Sequence, residues 1–208
     1  YLNSTSLVQA AEPVLSKLNE ITNELVSMAI LDKGDAVYIM VKESTHPVGY
    51  SRRVGSVFPA YSTAMGRALL SELEDAEIDQ LYPEEKLPPV TPKTVPNKTE
   101  LKSRLEHIRK TGVSIESGGA IENVEGIASP VRDANGKIIA AISFAIPFFR
   151  IDADRCRQFA ALVSAGASYI SYRLGYNASH KPVHSLEEVE SSWRDSLHSR
   201  KLIKTASV

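Results

Sequence analysis

The chain has 208 residues, 43% hydrophobic and 24% charged, with 24 basic residues against 25 acidic ones and a formal net charge of −1. That balance suits a globular domain with a single core, and near-neutrality argues against a dedicated nucleic-acid module, which carries a basic excess on one face. Cys156 is the only cysteine, which excludes an internal disulfide and makes a reducing cytoplasm the expected setting; no apolar run reaches the roughly 18 residues of a membrane-spanning helix.

Leu7, Ala11, Val14, Leu18, Ile21 and Leu25 recur at steps of three and four, the spacing of one helix face. Such a face can pack on its own core or form a short coiled-coil seam with a partner. Pro13 is expected to start or break this helix near Glu12. Val26 to Leu31 and Ala36 to Val41 read as strands joined by a hairpin turn at Asp32-Lys33-Gly34-Asp35. Arg52-Arg53 reads as a surface turn.

Ser62 to Leu73, rich in Ala, Leu and Met, reads as a helix, and Asp75 to Leu81 as a second, short one. Five prolines between Tyr82 and Pro96 predict an extended surface loop. Asn97, followed by Glu100, supplies an N-cap to a helix with the stripe Leu101, Leu105 and Ile108, which Gly112 terminates. Val113 to Glu116, Gly126 to Val131 and Lys137 to Ile146 read as strands, the last two joined by a turn at Asp133 to Gly136. Asp152 caps a final helix with the stripe Phe159, Leu162, Val163, Gly166, Ala167, Ile170 and Leu174. Hairpins dominate, so the expected fold is α+β, a mostly antiparallel sheet with helices packed on it, as in GAF- and PAS-like sensors.

Enzyme signatures are missing: no Gly-rich phosphate loop, no His-Glu-x-x-His, no Gly-x-Ser-x-Gly. His180 and His184 have the spacing of two metal ligands, but Pro182 separates them. Cys156 is either a packed small residue or a thiol activated by the start of the last helix. Ser143 interrupts an apolar strand, and a buried hydroxyl needs a partner, from the backbone or from a ligand.

Three blocks are more specific. Arg53-Val54-Gly55-Ser56 with Pro59 to Leu70 comes first; Thr91-Pro92-Lys93-Thr94 with Ile108 to Val113 second; Ile127 to Asp133, Gly136 and Ile139 to Ser143 third. Together, in order, they resemble the C-terminal effector-binding domain of IclR-type bacterial transcriptional regulators over residues 8 to 175. The resemblance implies a GAF-like domain with six strands, over residues 11–176, that is no enzyme and needs no cofactor or metal. Residues 1–10 would end an interdomain linker helix, and 177–208 would be a tail, mobile or partner-docked. Operator DNA would be met only through a winged helix-turn-helix ahead of Tyr1, and the chain would form a homodimer or homotetramer.

A small organic effector, by the same resemblance, would touch Ala64, Met65, Glu116, Gly126, Ser143 and Ala145. Gly126 stands where the family often has Cys, and Ala145 occupies a second position that is often polar, so the pocket would be larger and less polar than one for a small keto acid. Glu116 has no evident cationic partner in the sequence, and neither Lys nor Arg occurs at these positions, so a neutral or weakly cationic effector, such as an aromatic or sugar-like metabolite, is expected. A domain whose core is filled by its own side chains would be left with a purely structural, dimerising role.

Overall fold

The structure, a computed structural model, describes residues 2–177 and 183–194. Helix α1 (Leu2–Thr22) runs through Pro13 without interruption. Proline inside a helix costs about 3 kcal/mol, yet Ala10, Ala11, Val14, Leu15 and Leu18 around it are all buried. Their burial outweighs the lost hydrogen bond, and the expected start or break near Glu12 does not occur. The helix ends at Asn23, which adopts a left-handed φ of 52°, so Leu25 belongs to the next strand. Leu7, Ala11, Val14 and Leu18 pack into the chain's own core, the first of the two alternatives for that face.

Strands β1 (Leu25–Asp32) and β2 (Asp35–Lys42) form the expected hairpin. Lys33 (φ 48°) and Gly34 (φ 90°) both take positive φ, as a two-residue turn between right-twisting strands requires. Strand β3 (Val57–Pro59) pairs on the outer edge of β2; at three residues it is too short to display alternation, and the sequence pattern alone yields five strands, not six. Strands β4 (Ser114–Ser117), β5 (Val124–Arg132) and β6 (Ile138–Pro147) complete a six-stranded sheet in the order β3-β2-β1-β6-β5-β4. Every neighbouring pair is antiparallel.

Both faces of the sheet are covered. Ala140, Ile142, Phe144 and Ile146 of β6 join α1 and α5 (Ala153–Arg173) in one core, while Ala141 joins α2 (Ala64–Leu70), α3 (Asp75–Leu81) and α4 (Lys98–Thr111) in the other. This period-2 alternation turns Ser143 and Ala145 toward α2. The first of these helices is shorter than the expected Ser62 to Leu73, because residues Ala60–Ser62 form a single 3-10 turn and Thr63 is the N-cap.

The tail departs from expectation as well. Residues 186–194 are helical, Val189 is fully buried in the α1–α5 core, and the Trp193 ring lies 5.2 Å from that of Phe159. This part of the tail therefore docks on its own domain; residues 178–182 and 195–208, and with them His180, lie outside the described residues. Among the described residues no helix is long and apolar enough to cross a membrane.

Candidate functional site

Helix α2 is held hard against the chain before it. Thr63 accepts a hydrogen bond from Gly66 N at 2.9 Å, and a Cβ at Gly66 would overlap the backbone of Ala60. The helix therefore starts at a fixed height above the sheet. Beneath it lies Gly126 of β5, where an added Cβ would come within 3.1 Å of the Ala64 methyl. Gly126 pairs with Glu116 on one side and Ala145 on the other, so one row across the sheet reads Glu116, Gly126, Ala145. Ser143 sits one step along, opposite Ser27 and Ala128.

Glu116 is 5% exposed. Its Oε1 accepts from Gly119 N, and Gly119 is fixed in turn by Thr94, whose hydroxyl donates to its carbonyl at 2.7 Å. Thr91 donates likewise to Gly118 O at 2.7 Å. The proline-rich loop is thus less superficial than expected: Leu87, Thr94 and Val95 are buried, and the loop anchors the turn that holds Glu116. Burial pushes the Glu116 carboxyl above its usual value, while the Gly119 amide and the Arg67 guanidinium oppose that rise.

Across the cavity stand three residues that sequence reasoning did not place there: Tyr38, Tyr50 and Arg52. Arg52 does not lie on a surface turn. It is 8% exposed, with its guanidinium 3.9 Å from the Phe58 ring centroid, 4.7 Å from Tyr38 and 4.8 Å from Tyr50. Stacking on aromatic faces is favourable for a planar, weakly hydrated cation. Among the described residues no carboxylate lies within 4 Å of that guanidinium, and it has no hydrogen-bond partner. The hydroxyls of Tyr38 and Ser143, residues that are each 6% exposed, also lack one. Burial pushes the Tyr38 phenol up to about 12, so at neutral pH it stays protonated and can donate.

Of the six residues taken from the resemblance, Ala64, Glu116, Gly126, Ser143 and Ala145 line one cavity under α2. Met65 does not; it is 1% exposed and packs in the core between α2 and α4. The cavity measures about 40 Å³, because the Tyr38, Tyr50 and Arg52 side chains take up much of the space. Tyr50, Ile121 and Val124 also line an outer cleft of about 470 Å³, whose further walls are Val48, Pro147, Phe148 and Phe149. Inner donors and an outer apolar vestibule therefore share a boundary.

Nothing in this arrangement pairs a nucleophile with a base. Among the described residues no group of three or more His, Cys, Asp or Glu side chains could hold a metal ion. His184 instead packs edge-on against Tyr172, ring centroids 4.6 Å apart. Cys156 lies on α5, and burial raises its thiol pKa rather than lowering it, so it is not an activated thiolate.

Comparison with known proteins gives a consistent result. The family described as bacterial transcriptional regulator IclR C-terminal matches residues 1–172. The chain is 28% identical over 176 residues to the HTH-type transcriptional regulator KdgR of Escherichia coli, covering 85% of this chain and 67% of that protein. It is 29% identical over 177 residues to the transcriptional repressor IclR of the same organism, covering 84% and 65%. The crystal structure of the C-terminal domain of E. coli KdgR superposes with a TM-score of 0.74 at 27% identity, covering 82% of this chain and 99% of that one. The chain thus spans about two thirds of the length of these curated relatives, which are named regulators and repressors, not enzymes.

Proposed function

The chain belongs to the IclR family of bacterial transcriptional regulators, and from that premise we propose that it senses a small organic effector in the cavity beneath α2. The observation that carries this reading is the convergence on one cavity of three polar side chains, Arg52, Tyr38 and Ser143, from residues that are largely buried and have no side-chain hydrogen bond among the described residues. A polar group shielded from bulk water is stabilised by a hydrogen-bond partner. A ligand in the cavity can supply the partners that the protein does not.

The donor set revises the expected effector chemistry. Arg52 and Tyr38 favour an anionic head, a carboxylate, over the neutral or cationic compound suggested by Glu116 alone. The apolar outer cleft favours a hydrophobic body, so the effector is an organic acid with an aromatic or aliphatic tail. Ala64, Gly126 and Ala145 present only small side chains or none to the cavity, and Met65 supports the helix from behind.

Signalling follows from differential binding. An effector changes operator affinity only when it binds one quaternary arrangement better than another, and a tenfold change needs about 1.4 kcal/mol of coupling. The operator contacts belong to a winged helix-turn-helix ahead of residues 1–10, in a cytoplasmic homodimer or homotetramer without cofactor or membrane partner.

A second reading, a structural dimerisation domain, draws support from the 40 Å³ of the inner cavity, well below the roughly 300–1,000 Å³ of typical ligand sites. Calorimetry against a panel of carboxylates and their amides separates the two. Saturable heat with acids and none with amides supports the sensor; no saturable heat with any compound supports the structural role.

A further inference from the structure

A second cleft, outside the effector cavity, runs between α4 and the edge strand β4. It encloses about 490 Å³ and is lined by Arg67, Arg104, His107, Thr111, Val113 and Ile115 among others. Arg67 is the unusual member. It is 1% exposed, the largest fully buried side chain among the described residues. Its Nε donates to Tyr61 O at 2.8 Å, but no partner within hydrogen-bond distance serves its two Nη atoms and no carboxylate lies within 4 Å of it among the described residues. Burial pulls its pKa down to about 10, with Glu116 opposing at longer range. The guanidinium remains charged at neutral pH, and Arg67 lines the cleft.

A buried cation is normally paired. This one has no carboxylate partner and borders a space large enough for a small molecule, to which a guanidinium can offer a planar two-nitrogen fork. Arg104 stands on the rim, engaged on one side by Glu100, with His107 one turn further along the same helix. Hydroxyls of Ser103 and Thr111 and the apolar side chains of Ile108, Val113 and Ile115 complete the lining. We propose that this cleft is a second ligand site, selective for a small organic oxyanion, a phosphate or a carboxylate, gripped by the two free amino groups of Arg67. It is separate from the effector cavity, although both use α2: Thr63 and Ala64 line one, Arg67 the other, one turn later.

The test is an NMR titration of the full chain with phenyl phosphate and, separately, benzoate, against sodium chloride at matched ionic strength. The proposal expects saturable shifts of the Thr111, Val113 and Ile115 amides and of the Arg67 Nε–H. The tighter of the two probes identifies the headgroup. Arg67→Lys should weaken binding about tenfold by losing the fork while keeping the charge. If that variant fails to fold, the paired surface change Arg104→Ala with His107→Ala decides, with a loss of about threefold or more expected. Shifts that grow linearly and scatter over the surface overturn the proposal, as does an affinity unchanged in the variants. So do shifts of the same amides on dilution alone, which would assign the cleft to a second copy of the chain.

Discussion

Arg150 closes on Glu24 through two parallel hydrogen bonds, Nε to Oε1 at 2.9 Å and Nη2 to Oε2 at 2.8 Å. Glu24 stands just ahead of β1 with its side chain 1% exposed, and Arg150 follows β6. The third nitrogen, Nη1, donates to Val48 O at 2.6 Å. One guanidinium thereby ties the start of β1, the end of β6 and the loop at the mouth of the outer cleft.

Removing one partner of a buried pair leaves the other charged and unsatisfied. Arg150→Met should lower the unfolding free energy by on the order of 3 kcal/mol, read by urea denaturation. Glu24→Gln combined with Arg150→Met should cost less than the sum of the two single changes, because no lone charge then remains.

Gly66 of α2 and Gly126 of β5 should respond differently to an added methyl. A methyl at Gly66 meets the backbone of Ala60, which cannot yield, so Gly66→Ala should destabilise by at least about 2 kcal/mol. A methyl at Gly126 crowds the Ala64 methyl at 3.1 Å, while Glu116 O and Ala64 N, at 3.7 and 3.9 Å, stay at ordinary contact distance. Gly126→Ala should leave the melting temperature nearly unchanged while lowering carboxylate affinity about tenfold by narrowing the cavity. Thermal melts and calorimetry on both variants check the contrast.

Glu116 makes both stability and binding depend on pH. Its folded pKa is raised above the ordinary 4.5 by burial, so between these values the folded chain holds more protons than the unfolded one. Unfolding free energy therefore falls as pH rises from 4.5 through the folded value. Glu116→Gln should remove that part of the slope. An anionic effector is repelled by the ionised carboxylate, so its affinity should rise as pH falls toward that folded value, and the Gln variant should flatten this dependence too.

Gly119→Ala tests the support of that carboxylate. A Cβ there would lie 2.5 Å from Glu116 Oε1, the mobile end of a side chain, so the fold should survive while Glu116 turns away. The pH dependence of effector binding should then change with little loss of stability, as measured by calorimetry at several pH values.

Long, periodic elements were legible in the sequence because period alone defines them: α4 between Asn97 and Gly112, and the strands around both hairpins. Pro13 misled because propensity is local, whereas the burial of Leu15 and Leu18 that overrides it is not. Strand β3 was too short to carry a pattern. Five of the six candidate site residues fall together because they lie on paired strands and one helix start. Arg52 was missed because its burial arises from rings on β2 and β3, a contact across the sheet edge that no spacing along the chain encodes. Arg67, inside a recognisable block, gave no sign in sequence that its guanidinium would be buried.

The central claim is that Arg52, Tyr38 and Ser143 together receive an effector's carboxylate. A crystal structure with the tightest-binding acid from the calorimetric panel tests it directly. The account predicts both carboxylate oxygens within hydrogen-bonding reach of Arg52 and Tyr38, with the body of the ligand passing Tyr50 into the cleft walled by Phe148. An acid seated elsewhere, with those three side chains still without hydrogen-bond partners, would contradict it.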